Sequence, residues 1–207
     1  MKLLIINPGG TSTKIAVFED EEQILKRNIT HTQEELSAFK HVFDQFGYRK
    51  KLILEALEEE GIDIRQLSGV AGRGGLMNPI PGGTYRVNER MLEDLRRAVH
   101  GEHPSNLGSA LAKSIGDEVG VPSFVVDPVS VDELMPKARI SGIAELERPS
   151  WFHALNHKAV ARWAAERIGK QYEECSLIIA HLGSGNSIAA HKNGRMIDGS
   201  GGRTNGP

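Results

Sequence analysis

One cysteine, Cys175, stands in 207 residues, so neither an internal disulfide nor a cysteine-based metal centre is available. Aromatic residues make up only 5% of the chain, and no apolar run exceeds four residues, as in Leu3-Leu4-Ile5-Ile6 and Leu177-Ile-Ile-Ala180. Crossing a bilayer takes about 20 apolar residues in a row, which excludes a membrane span on sequence grounds. Charge of one sign is missing as well: 25 basic against 27 acidic side chains leave a net charge of −2, which argues against a nucleic-acid footprint. The start runs from Met1-Lys2-Leu3-Leu4 into an Asn-Pro-Gly-Gly turn, with no apolar stretch of secretory length, so the expected location is cytoplasmic. A Gly-Lys-Ser/Thr ending is absent from the glycine-rich turns, which disfavours a P-loop nucleotidase. Chemistry is left to His, Asp, Arg and glycine-rich loops.

What is present alternates between β-rich runs and longer helical ones, the pattern of an α/β protein. Residues 2–7, 13–19 and 23–29 read as three antiparallel strands, and 33–60 as two helices stopped at Gly61. A strand near 67–71 leads into Gly72-Arg-Gly-Gly75 and a Pro/Gly loop over 78–83. Asn88 and Ser105 are expected to cap helices ending at Val99 and Val119, before a buried strand at 124–126. Ser150 is expected to cap a helix whose face Phe152, Leu155, Ala159 and Trp163 packs inward, ahead of a strand at 176–181 and its hairpin. The segment from Gly199 onward has loop chemistry throughout.

The chain repeats itself. Leu4-Ile-Ile-Asn-Pro-Gly-Gly-Thr-Ser-Thr-Lys-Ile-Ala-Val17 aligns without a gap on Leu177-Ile-Ile-Ala-His-Leu-Gly-Ser-Gly-Asn-Ser-Ile-Ala-Ala190, with six of fourteen positions identical. Each copy is a buried strand, a tip of Gly, Ser and Thr, and a second strand, so backbone N–H groups and hydroxyls gather where an anion can be held. Two such lobes are expected, 1–147 complete and 148–207 only begun.

Several side chains can serve an anion. Asn7, Thr11, Ser12 and Lys14 lie on the first hairpin, and His181, Gly183, Ser184, Gly185 and Asn186 on the second. Arg73 is presented between glycines at a strand end, where a guanidinium can grip carboxylate or phosphate bidentately. His103 reads either as a structural cap or as an anion donor at a helix start, and Asp127 either as a turn former or as a functional carboxylate after a strand. His153 and His157 share a helix face without the third ligand a zinc site needs, and so read as hydrogen-bond donors. Together this is a set for phosphoryl transfer, where catalysis is positioning plus charge stabilisation.

Six ordered stretches carry a resemblance: Ile6-Asn-Pro-Gly-Gly-Thr-Ser-Thr-Lys14, Gly72 to Tyr85, Gly101-Glu-His-Pro-Ser-Asn-Leu-Gly108, Val126-Asp-Pro-Val-Ser-Val-Asp-Glu133, Phe152-His-Ala-Leu-Asn-His-Lys-Ala-Val160 and Ala180-His-Leu-Gly-Ser-Gly-Asn-Ser187. The chain resembles the acetate and butyrate kinase family, on its butyrate-type side, which belongs with actin, sugar kinases and heat-shock ATPases. The resemblance implies an actin-like ATPase (ribonuclease H-like) lobe with a mixed sheet and flanking helices, plus the start of a second. It implies reversible transfer of the terminal phosphoryl of ATP, with Mg2+, to a short-chain carboxylate, giving an acyl phosphate and ADP. By position, Arg73 looks like the arginine gripping carboxylate or phosphoryl, His103 and His153 like the transition-state histidines, and Asp127 like an aspartate that orients arginines. Asn7, Ser12 and Lys14 match the first phosphate loop, with Asn7 also near Mg2+ through water, and Gly183, Ser184, Gly185 and Asn186 match the second. The family's second arginine, adenosine loop and metal-placing acid lie past the second hairpin, so the 207 residues alone are expected to have little kinase activity. No nucleic-acid or membrane partner is expected, and a homo-oligomer is. Two alternatives stay open: a phosphate-binding module without catalysis, and an acetate or sugar kinase relative.

Overall fold

The computed structural model describes residues 1–183 and 185–201. They form two compact units, Met1–Asn78 with Thr84–Val126, and Pro79–Gly83 with Asp127 onward. Residues 127–147, expected in the first lobe, thus lie in the second unit.

The first unit is built on a mixed six-stranded sheet in the order β3-β2-β1-β4-β6-β5. Its hairpin strands are β1 (Lys2–Pro8), β2 (Ser12–Glu19) and β3 (Glu22–Thr30), followed by β4 (Gly69–Gly72), β5 (Thr84–Arg86) and β6 (Ser123–Val126). β1, β4 and β6 run parallel, and the others antiparallel. Strand alternation sends Leu4 and Ile6 of β1, and Ile15 and Val17 of β2, to one buried face. There they meet Ile53 and Leu57 of α2 (Phe46–Glu59) and Leu107, Leu111 and Ile115 of α4 (Asn106–Val119). Full burial of each such side chain is worth about 1.5–3 kcal/mol. The short α1 (Gln33–Ser37) carries a capping box from Thr32, and α3 (Glu89–Arg96) is capped by Asn88, whose Oδ1 accepts from Met91 N. β5 was not foreseen: three residues after a Pro/Gly loop are too few to show a period.

The second unit pairs α5 (Ala154–Arg167) with a three-stranded antiparallel sheet, β7 (Ser176–His181), β8 (Ser187–Lys192) and β9 (Arg195–Gly201). Its apolar clusters are small, one around Val131, Phe152, Ala189 and Met196 and another around Ala161, Ala165, Tyr172 and Ile179. A buried Lys158–Glu133 ion pair at 2.9 Å sits beside them, with Gly82 N and Met196 N also donating to that carboxylate. The Pro/Gly loop is stitched into this unit, Ile80 N donating to Ser130 O and Asp132 N to Ile80 O.

Three expectations need correction. α5 starts at Ala154 with His153 at its cap, while the Ser150 hydroxyl donates to Val131 O instead. Its inward face is Ala154, His157, Lys158, Ala161 and Ala165; Trp163 is 56% exposed and Leu155 44% exposed. Polar side chains with buried partners took the inner face that an apolar stripe had suggested. Residues 199–201 belong to β9, paired with residues 187–189 of β8, although their composition is that of a loop.

Both repeats form hairpins, but they are not superimposable without a gap. Pro8 pairs with Thr13 across the first tip, and His181 with Ser187 across the second, so the second turn is one residue longer. One residue of slip turns a strand over. Ile15 is 1% exposed whereas its aligned counterpart Ile188 is 47% exposed, and Ala189 takes the inner position. Among the described residues no helix is long and apolar enough to cross a membrane.

Candidate active site

The first unit gathers Asn7, Thr11, Ser12, Lys14, Arg73 and His103 around the ends of β1 and β4 and the start of α4. The first hairpin tip is folded back on itself, Gly9 N donating to Ser12 O at 2.7 Å. Beneath it lies Arg49, fully buried on α2, a residue whose place in an amphipathic helix reads as a solvated charge in sequence. Its guanidinium donates to Gly10 O (3.3 Å), Ser12 O (3.2 Å), Thr13 Oγ1 (2.9 Å) and Gln45 Oε1 (2.8 Å from Nη2). With the tip's carbonyls drawn inward, the exposed Gly10 and Thr11 amides have no acceptor among the described residues. Backbone amides left open in this way are the kind of donor an anion can use, and a guanidinium stands behind them. His31, buried, holds Thr13 Oγ1 at 2.8 Å through Nε2, and burial together with Arg49 lowers its pKa, so it stays neutral there. Lys14 is exposed on β2.

Arg73 follows β4, its N–H bonded to Ile6 O at 2.8 Å, and its Nη1 donates to Asn7 Oδ1 at 3.3 Å. Burial pushes this guanidinium below its usual pKa. The loop that carries it passes against the first turn of α4 so closely that a β-carbon on Gly72 would overlap the Gly108 carbonyl, and one on Gly108 would overlap Arg73 O. Asn106, buried and unforeseen, locks the same junction, accepting from Leu76 N (2.9 Å) and donating to Gly101 O (3.0 Å). His103 precedes it. Ser105 N donates to His103 Nδ1 at 3.2 Å, which leaves that ring's proton on Nε2. Ser105 spends its hydroxyl on the same nitrogen, at 2.7 Å, and gives no side-chain cap to α4.

Asn7 does not build a cation site by itself. Its amide oxygen already accepts from a guanidinium, and among the described residues no group of three or more His, Cys, Asp or Glu is arranged for a metal ion.

The second unit brings together His153, His157, His181, Gly183, Gly185 and Asn186, and also carries Asp127, whose partner Arg162 lies over the Tyr172 ring. His153 and His181 stack with ring centroids 3.8 Å apart, and a β-carbon on Gly185 would come within 3.4 Å of His153 Nε2. His181 Nδ1 meets Asn156 Oδ1 at 3.0 Å, and Gly183 N donates to Asn186 Oδ1 at 2.9 Å, shaping the second tip. Ser184 lies outside the described residues. His153 Nδ1 and His157 Nε2 both contact Ser187 Oγ, at 2.8 and 2.9 Å. His157 continues to His191, and His191 to the Tyr172 hydroxyl. Burial first, and then the neighbouring imidazole, lower the pKa of His157 to about 4; burial and Lys158 lower that of His191 to about 4. His191, Tyr172 and Ser187 carry no sequence signal, because the bonds that join them to one another and to His153 and His157 span 19 to 34 residues.

Asp127 is buried and holds a left-handed backbone, φ +38°, which is strained for a side chain with a β-carbon. Two bonds to Gly83 fix it: its N–H to Gly83 O at 2.9 Å, and Gly83 N to its Oδ1 at 2.8 Å. Its Oδ2 accepts from Arg162 Nη1 at 3.3 Å, an arginine of the same unit that sequence reading passed over.

Comparison with known proteins adds to this geometry. The acetokinase family matches residues 145–205. Butyrate kinase 1 of Clostridium acetobutylicum is 52% identical over 197 residues, covering 95% of this chain and 56% of that protein. A probable butyrate kinase of Clostridium botulinum is 53% identical over the same length and shares. The chain thus spans about half the length of the curated relatives it matches. Among solved structures, acetate kinase from Porphyromonas gingivalis superposes with a TM-score of 0.67 at 18% identity, covering 98% of this chain and 58% of that one. A propionate kinase from Francisella tularensis gives 0.66 at 18%, covering 97% and 57%. At that identity the likeness speaks for the fold, the α/β architecture of these kinases.

Proposed function

We propose, from the premise that this chain is homologous to the butyrate kinases of the acetokinase family, that the protein transfers the terminal phosphoryl group of ATP to a short-chain carboxylate such as butyrate, reversibly, giving an acyl phosphate. The observation that supports the reading is the Arg73 to Asn7 bond, which holds a half-buried guanidinium at the end of β1, the strand that leads into the Arg49-braced hairpin tip. In this reading the Gly10 and Thr11 amides and the Thr11, Ser12 and Lys14 side chains hold phosphate oxygens. Arg73 grips the carboxylate or the phosphoryl in transit. His103, with its proton on Nε2, donates to an oxygen that gains charge, and His153 is the corresponding candidate donor within the second unit. Preorganised donors of this kind supply most of what phosphoryl transfer needs from a protein. The carboxylate is already ionised at neutral pH, so no general base is required. Asp127 orients Arg162, and Gly183, Ser184, Gly185 and Asn186 form a second phosphate contact. Mg2+ enters only as companion of the nucleotide's phosphates, where it would screen their charge. ATP as donor favours a cytoplasmic setting. The exposed apolar side chains Ile178, Leu182 and Ile188 favour self-association.

The test is a hydroxylamine trap for acyl phosphate, run with ATP, Mg2+ and acids from acetate to branched pentanoates. Butyryl or isobutyryl hydroxamate is the expected product. Silence from the 207 residues alone is expected; a chain extended past Pro207 that folds, binds ATP and yields no hydroxamate from any acid refutes the reading and leaves a phosphate-binding module.

A further inference from the structure

Five polar groups of the second unit stand in line. His153 Nδ1 lies 2.8 Å from Ser187 Oγ, Ser187 Oγ lies 2.9 Å from His157 Nε2, His157 Nδ1 lies 3.2 Å from His191 Nε2, and His191 Nδ1 lies 2.6 Å from the Tyr172 hydroxyl. Ser187, His157, His191 and Tyr172 are all buried. A neutral imidazole offers one N–H and one lone pair, so His191 and His157 must pass their protons in the same sense; a hydroxyl offers one O–H and two lone pairs, so Ser187 continues that sense to His153 only where both lone pairs are otherwise filled. Either the protons of His191 and His157 point from Tyr172 toward Ser187, or they point back.

The Tyr172 end decides between them. If protons point toward His153, the Tyr172 O–H donates to His191 Nδ1 and each buried group is satisfied. If they point back, the phenol proton has no acceptor among the described residues, a loss of about 1–3 kcal/mol for a buried donor. The Ser187 hydroxyl closes the count in the first arrangement: it accepts from His157 Nε2 and, at 3.4 Å, from the His153 backbone N–H, and donates to His153 Nδ1.

We propose that Tyr172, His191, His157 and Ser187 form a positioning relay that fixes the His153 proton on Nε2, the nitrogen beside Gly185 at the second hairpin tip. The relay sets a tautomer and not a charge. Burial and the Glu133 carboxylate push the Tyr172 phenol upward, so it remains a donor, and His157 and His191, lowered to about 4, remain neutral links able to accept as well as donate. What the fixed N–H is for rests on the carboxylate kinase reading; that it is fixed does not.

Two-bond proton–nitrogen NMR on protein labelled with 15N in its imidazole rings reads tautomers directly, with single His→Gln variants assigning the signals. At pH 7.5 the expected result is a proton on Nε2 in His153, His157 and His191 alike. A proton on Nδ1 of His157 or His191 overturns the relay. Tyr172→Phe removes the terminal donor and is expected to release all three rings into mixed tautomers. In a chain extended past Pro207 it is also expected to lower kcat for hydroxamate formation by about tenfold, the scale reached by partners that orient a site histidine, with KM within about twofold. Unchanged His153 signals or an unchanged kcat in that variant overturn the proposal. If Tyr172→Phe does not fold, the wild-type tautomers decide alone. The expected tautomers without any hydroxamate from the wild-type chain extended past Pro207 would uphold the relay and refute the kinase reading.

Discussion

Acidification from pH 7 to pH 5 should weaken the second unit by an amount its two buried imidazoles set. His157 and His191 each fall from an ordinary 6.5 to about 4 in the folded chain, through burial and, respectively, a neighbouring imidazole and Lys158. Between those values the unfolded chain takes up a proton that the folded chain refuses. Stability therefore falls as pH drops below about 6.5, and the loss is complete below about 4. Each pH unit inside that window costs up to about 1.4 kcal/mol per group, so from pH 7 to pH 5 each imidazole contributes about 2 kcal/mol. The pair together removes roughly 3–4 kcal/mol, a large part of the 5–15 kcal/mol that holds a typical domain. Urea unfolding followed by tryptophan fluorescence is the assay, because both tryptophans, Trp151 and Trp163, lie in the second unit. His191→Gln should flatten the dependence by about half while lowering stability at every pH. Unfolding free energies at pH 5 and pH 7 that agree within about 0.5 kcal/mol in the wild type would refute the assignment of these rings as neutral and buried.

Arg49→Met should cost about 3 kcal/mol, since Gly10 O, Ser12 O and Thr13 Oγ1 lose a buried partner, and should weaken binding of an ATP analogue; calorimetry and thermal melts check both. Arg73→Ala, in a chain extended past Pro207, should lower kcat/KM for hydroxamate formation by roughly 10³–10⁵-fold, the range found for arginines that stabilise a transferring phosphoryl, with an unchanged melting curve. Asp127→Ala should lower stability by about 1–3 kcal/mol through the orphaned Gly83 amide, and Asp127→Asn by less, because asparagine keeps an acceptor and tolerates the left-handed backbone; chemical denaturation of the pair separates these contributions. Gly108→Ala should destabilise by about 1–3 kcal/mol or more, since its methyl meets the Arg73 carbonyl, and should reduce turnover along with it.

The hairpins, the βα alternation and most helix ends were legible because they depend on neighbours in sequence: alternation in β1 and β2, Asn88 as a cap, glycines at Gly61 and Gly120. The inner face of α5 was not. Leu155 and Trp163 look like core, and it takes the partners of His157 and Lys158, Ser187 and Glu133, to show why the polar side turns inward. Arg49 was missed for the same reason, since nothing near it in sequence announces that Gly10, Ser12 and Thr13 will come to meet it. The candidate histidines and Arg73 were visible as residue types in glycine-rich settings. The groups that orient them, Asn106, Arg162, His191 and Tyr172, were not, because an orienting contact is defined only once distant segments meet.

The extra residue in the second turn works on β8 as a frameshift works on a message. Were the turn to close one residue earlier, with Asn186 in place of Ser187 opposite His181, Ile188 would stand opposite Ile179 on the inner face and Ser187 opposite Ala180, facing outward, away from both of its histidines. A duplicated hairpin therefore acquires or loses its histidine wiring through a one-residue shift of register at the turn, with no substitution at any residue that takes part in it.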